Sequence, residues 1–186
     1  SRYFGTSVAV RGDRVFVGAP YKSFGAGAVY VFRQQGTAWM LEARLLPPEN
    51  CYDDSFGYAI SVHGDRALVG VPDTNCQSNV ASPLGAAYVF RREGTNWFQE
   101  ALLPRPPGFS LVLGAAVSLS DSVAVVGHLF NDHQSSASVY RRSGTLWSYE
   151  ALLGPLVDST AFLSVATDGD AAIVGGYISV THVFIR

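Results

Sequence analysis

Phe4-Gly-Thr-Ser-Val-Ala-Val-Arg-Gly-Asp-Arg-Val-Phe-Val-Gly18 recurs as Phe56-Gly-Tyr-Ala-Ile-Ser-Val-His-Gly-Asp-Arg-Ala-Leu-Val-Gly70. A degraded third copy runs from Leu113 to Gly127, and a fourth from Ala161 to Gly175. The closing glycines Gly18, Gly70, Gly127 and Gly175 are 52, 57 and 48 residues apart. The second half of the unit repeats as well. Gly27-Ala-Val-Tyr-Val-Phe32 matches Gly85-Ala-Ala-Tyr-Val-Phe90, Ser136-Ala-Ser-Val-Tyr140 and Thr181-His-Val-Phe184. Gly-Thr-x-Trp elements ending at Trp39, Trp97 and Trp147 then open a last segment. Each segment closes on a glutamate (Glu42, Glu100, Glu150) and a Leu pair.

Each unit reads as four short strands. In the first, strand one is 7–10, Gly12-Asp13 makes a hairpin turn, strand two is 15–17, strand three 28–33 and strand four 39–46. Gly and Asp tolerate the backbone angles that a tight hairpin needs. No long segment keeps a helical period without a Gly or Pro breaking it. Four-stranded units recurring at this period indicate the blades of a β-propeller. The expectation is an all-β chain of about four antiparallel blades forming one domain over 1–186. The repeats fall at about 4–55, 56–112, 113–160 and 161–186, and the last lacks its outer strand. Small residues in strand one fit the crowded centre of a propeller. Trp39, Trp97 and Trp147 are expected at the outer rim or between blades, as packing and not as ligand platforms.

Composition agrees with this. The 186 residues are 48% hydrophobic and only 15% charged, against roughly 25% in an ordinary domain, with 19 glycines. A net charge of -2 gives no footprint for nucleic acid or an anionic membrane. No apolar run is long enough to span a bilayer as a helix. Ser1-Arg2-Tyr3-Phe4 does not read as a signal peptide, and there is no N-x-Ser/Thr sequon.

Phe4-Gly5…Gly18-Ala19-Pro20 and Phe56-Gly57…Gly70-Val71-Pro72 resemble the FG-GAP repeat. That repeat forms the propeller of integrin α subunits and occurs in many bacterial and eukaryotic extracellular proteins. The Gly-Asp-Arg hairpin and the Gly-Thr-x-Trp element are similar to its bacterial-type forms. The resemblance implies an extracellular or cell-surface, non-catalytic interaction or adhesion module. A structural subunit of a fibre or coat and a lectin-like glycan binder stand as alternatives. The implied partner is another protein or copies of the same chain, with a glycan as a further option. Propellers of the family are similar to seven-bladed rings, so this row of blades is expected to continue in a longer polypeptide, to form one ring with a second chain, or to close alone with an incomplete fourth blade.

The resemblance also raises calcium, because integrin-type blades carry Asp-x-Asp-x-Asp-Gly loops between strands one and two. Here the turns are Arg11-Gly-Asp-Arg14, His63-Gly-Asp-Arg66, Leu119-Ser-Asp-Ser122 and Asp168-Gly-Asp-Ala171. None offers the six to eight oxygens that calcium takes. No metal and no cofactor are expected.

Cys51 precedes blade two and Cys76 lies between its second and third strands, which places both on one face. A disulfide is expected, with two free thiols as the alternative. Closing about 25 residues would contribute roughly 3 kcal/mol in the chain-entropy account, and the bond would imply an oxidising compartment.

Nothing in the chain spells a nucleophile elbow, a His-Glu-x-x-His zinc motif or a phosphate loop. Arg11-Gly12-Asp13 spells the integrin-recognition tripeptide, but His63-Gly64-Asp65 fills the same slot, so it reads as a repeated turn. His128 and His133 flank Asn131 and Asp132 at a spacing open to a metal, yet with too few ligands. These four residues read as a solvated loop. The loops after strand two and between blades converge on one face and vary most between repeats. The binding-face candidates there are Tyr21, Lys22, Phe24, Asp53, Asp54, Asp73, Asn75, His128, Asn131, Asp132 and His133.

Overall fold

The computed structural model describes residues 3–21, 26–47, 55–72, 85–106, 112–129, 135–156, 163–176 and 182–184. Fifteen strands fill them, and no helix is present among the described residues. Blade one contains β1 (Val8–Arg11), β2 (Arg14–Ala19), β3 (Ala28–Gln35) and β4 (Ala38–Leu45). Blade two contains β5 (Ala59–His63), β6 (Arg66–Val71), β7 (Ala86–Glu93) and β8 (Asn96–Leu102). Blade three contains β9 (Val112–Leu119), β10 (Val123–Leu129), β11 (Ser135–Ser143) and β12 (Leu146–Leu156). Blade four contains β13 (Leu163–Asp168), β14 (Ala171–Gly176) and β15 (His182–Phe184). Each blade is an antiparallel meander in sequence order, and the fourth has three strands among the described residues. The four-stranded repeat expected from the sequence is therefore the observed unit.

The first strands lie side by side, β1 against β5, β5 against β9 and β9 against β13. Their small residues have a use beyond fitting a crowded centre. The Ser7 hydroxyl donates to the Gly57 carbonyl at 2.6 Å. Ser61 accepts from the Leu119 amide at 3.0 Å, and Ser118 from the Thr167 amide at 2.9 Å. Each serine thus ties one blade's inner strand to the next.

The two glycines of the repeat meet across blades. A Cβ on Gly18 would lie 2.1 Å from the Gly57 carbonyl oxygen, and one on Gly70 would lie 2.2 Å from that of Gly114. The opening glycines of blades two and three therefore sit on the closing glycine of the blade before them, at a distance that no side chain permits.

The core lies between blades. Strand alternation sends Val69 and Ala67 of β6 toward blade one, where they join Phe16, Val31 and Phe56. It sends Leu68 toward blade three, with Ala124, Val126 and Trp147. Val125 and Val139 meet Ala172 and Val174 of blade four. Burial of these apolar faces, at about 25 cal/mol per Å², holds the row together, because a lone four-stranded blade has no second layer of its own.

Candidate functional site

The fourth strand of each complete blade carries a β-bulge. Ala43 pairs with Val31 while Leu41 pairs with Phe32, so Glu42 is the extra residue. Glu100 and Glu150 occupy the same bulge in blades two and three. A bulge re-aims its side chain, and here it turns a strand-four carboxylate across strand three toward strand two. Glu42 accepts from Arg14 Nε at 2.8 Å and Nη2 at 2.9 Å. Glu100 accepts from Arg66 in the same bidentate way, both at 2.9 Å. Both carboxylates are buried. Burial alone raises their pKa, but the arginine bonds and charge more than offset it and hold both below the ordinary carboxylate range.

The next blade's tryptophan lies against this pair. Trp147 of blade three donates its indole N–H to Glu100 Oε1 at 3.0 Å. Trp97 of blade two packs edge-on to Phe16 of blade one at 5.4 Å between centroids, with its indole near enough to Glu42 to lower that pKa further. The sequence expectation of inter-blade packing therefore holds at both. Blade three ends this series, since Val123 stands in the place of Arg66. Arg141 of β11 takes Glu150 instead, at 2.8 Å, and reaches Asp170 of blade four at 2.7 Å.

The outer face of blade one presents the same residues uncovered. Phe4 is 49% exposed, whereas Phe56 and Leu113 in its place are 0% and 1% exposed. Trp39 is 45% exposed, against 4% for Trp147. Val8 and Val10 of β1 are exposed too, and Val15, Phe32 and Trp39 line a shallow apolar hollow. At the opposite end of the row, Ile173 of β14 stands where Phe16 and Leu68 stand in their blades, and it is exposed.

Residues 1–32 and 39–90 match the family described as FG-GAP repeat. Over these residues the first two blades are similar to FG-GAP repeats. No curated protein matches the chain's sequence. Among solved structures, Trypanosoma rangeli sialidase in complex with sialic acid is similar at a TM-score of 0.48 and 11% identity. That match covers 94% of this chain and 33% of the sialidase, so the chain spans about a third of that protein's length.

The blades dispose of the sequence candidates unevenly. Tyr21 is exposed and stacks edge-on with Tyr3, ring centroids 4.9 Å apart. Lys22, Phe24, Asp53, Asp54, Asp73, Asn75, Asn131, Asp132 and His133 lie outside the described residues, as do Cys51 and Cys76. His128 requires correction. It is not in a solvated loop: β10 runs on through Leu129, and His128 is fully buried beside Ser136, its cross-strand partner. Its Nδ1 lies 3.4 Å from the Ser136 hydroxyl, and burial pushes its pKa down to about 3.

The Arg-Gly-Asp turn carries its carboxylate in ion pairs. Asp13 accepts from Arg14 at 2.6 Å and from Arg33 at 2.8 Å, and the Arg33 bond first of all lowers its pKa. Asp65 pairs with Arg92 and Asp170 with Arg141, so these turn aspartates face guanidinium groups. The third turn sits one residue later than the sequence grouping. Ser122 takes Asp65's place, as its carbonyl accepts from Arg142 just as Asp65's accepts from Arg92. Asp121 takes Gly64's place and pairs instead with His63 of blade two at 3.1 Å.

Proposed function

We propose that this chain is a non-catalytic protein-interaction module that associates with copies of itself, end to end, through blade faces. The observation that carries this reading is the uncovered face of blade one. Phe4 and Trp39 are exposed there, while Phe56, Leu113 and Trp147 at the same positions of later blades are sealed by the preceding blade. The occupant that fits is blade four of a second copy, because exposed Ile173 offers the contact that Phe16 and Leu68 make inside the row. Such a contact is heterologous, so it closes into a ring or extends as a fibre.

The non-catalytic part of the reading is supported by the two histidines whose side chains are described. His63 is engaged with Asp121 and His128 is buried. An extracellular setting belongs to the same proposal, resting on the FG-GAP resemblance, and it predicts a Cys51–Cys76 bond. Intact mass with and without reduction tests that bond.

The assembly test is sedimentation velocity over a wide concentration range, with Trp39→Lys and Ile173→Lys as separate variants. The expected result is concentration-dependent association, lost in either variant. A discrete two-chain species would mean a ring, and a growing series a fibre. A monomer at every concentration would overturn self-association. Binding on a glycan array by such a monomer would favour the lectin reading.

A further inference from the structure

Blades two and three present the same four positions to the blade before them, but with opposite chemistry. In blade two these are Val71, Ala86, Tyr88 and Phe90, all buried in an apolar cluster. In blade three, strand pairing puts His128, Ser136, Ser138 and Tyr140 in their places. All four are fully buried. Burying polar groups is costly unless their hydrogen bonds are made. Yet His128 Nε2, the Ser138 hydroxyl and the Tyr140 hydroxyl have no protein hydrogen bond of normal geometry. The Tyr140 and Ser138 hydroxyls lie close enough for one to perturb the other.

The same exchange removes bulk. In blade two, Phe56 and Tyr88 face each other with ring centroids 5.9 Å apart. The corresponding pair in blade three is Leu113 and Ser138. Replacing a tyrosine by a serine takes away a whole phenol ring, more than the roughly 30 Å³ that one water occupies in the liquid.

We propose that the joint between blades two and three encloses an ordered-water site lined by His128, Ser138 and Tyr140. The chemistry selects a small, neutral ligand that both donates and accepts. Two hydroxyls and one imidazole nitrogen supply the two to four polar partners that a buried water takes. No charged group among them would hold an ion.

Oxygen-17 magnetic relaxation dispersion of the native protein reads long-lived internal water without interference from exchanging hydroxyls. The double variant Leu113→Phe with Ser138→Tyr restores the blade-two ring pair and serves as the comparison. The expected result is a dispersion amplitude in the native protein that falls by at least one long-lived water in the variant. An unchanged amplitude in a folded variant would overturn the site. If the variant does not fold, a crystal structure of the native protein that resolves solvent decides instead. Water bonded to at least two of the three atoms supports the site, and protein groups satisfying them overturn it.

Discussion

The joint between blades one and two is aromatic, whereas the joint between blades two and three is built around hydroxyls and an imidazole. Phe56, Tyr88 and Phe90 fill the first, and Leu113, Ser138 and Tyr140 replace them in the second. Two features are nevertheless kept at both: a glycine seated on the next blade's glycine, and a buried Arg–Glu pair facing the next blade's tryptophan. The stacking geometry of this fold therefore resides in those contacts, and the filling between them is free to change. The joint to blade four lacks the Arg–Glu pair, since Val123 of blade three stands in the place of Arg66.

The largest expected effect breaks the glycine contact. Gly70→Ala would put a methyl 2.2 Å from the Gly114 carbonyl oxygen, which is backbone and cannot rotate away. Overpacking against side chains costs roughly 1–3 kcal/mol. A backbone collision should cost about 3 kcal/mol or more, read as a lower urea midpoint. Gly18→Ala should behave alike, with its collision at 2.1 Å. Gly175→Ala, with nothing within 4 Å, should stay within about 0.5 kcal/mol of the native protein. Equal losses at Gly70 and Gly175 would refute the glycine contact as the spacing element.

The carboxylates come next. Glu100 accepts from Arg66 and from Trp147 and forms an ion pair with Arg91 at 3.2 Å; Glu42 has Arg14 and only a 4.0 Å approach by Arg33. Glu100→Gln should cost about 3 kcal/mol, because it strands a guanidinium beside a buried amide. Glu42→Gln should cost about 1 kcal/mol less, for want of the indole bond. Both pKa values are depressed in the folded state, so this stabilisation is complete above about pH 4.5 and is lost as pH falls through the lower folded values.

How much of this the sequence discloses depends on whether a feature is local. The hairpins and strands are legible because Gly12-Asp13 and Gly64-Asp65 are local signals. The conserved spacing of Glu42, Glu100 and Glu150 is also visible in the chain, as is that of Arg14 and Arg66. Their pairing is not, because it depends on a bulge that appears only once strand register is known. The serine ties at Ser7, Ser61 and Ser118 are hidden for a similar reason, since their partners are some fifty residues away. His128 misleads because Gly18-Ala19-Pro20 marks a strand end in blade one. Gly127-His128 lacks the proline, and the strand continues.

His128 supplies a smaller, pH-selective effect on the same polar joint. Its folded pKa of about 3 lies below the unfolded value near 6.5, so acid favours the unfolded chain. The stability due to this group is complete above pH 6.5 and falls as pH drops toward 3. Between pH 6.5 and 5 the loss should be about 2 kcal/mol. His128→Val, the residue of blade two at Val71, should abolish that slope while leaving the steeper loss below pH 4.5 to the carboxylates. Urea midpoints at several pH values distinguish the two. A native slope retained in the variant would place the titrating group elsewhere.

The smallest effect on stability is expected at Trp39, and it is the one that separates folding from docking. The same residue type at Trp147 is sealed against blade two, where truncation of a buried aromatic costs about 3–5 kcal/mol. At 45% exposure Trp39 has little to lose within its own chain, so Trp39→Ala should move the urea midpoint by about 0.5 kcal/mol or less. Its consequence should appear between chains instead, as a weaker association constant in sedimentation with an unaltered monomer fold. Because the described residues of blade four include no bulge glutamate, the docked indole gains apolar contact without the carboxylate that Trp147 finds in Glu100. The end-to-end contact should therefore be weaker than the joints inside the row. Installing the pair's missing arginine through Ala171→Arg should not strengthen it, since no bulge glutamate is described in blade four to hold that charge. Tighter association in Ala171→Arg would refute the need for that glutamate, and association unmoved by Ile173→Lys would show that the docking partner is not blade four.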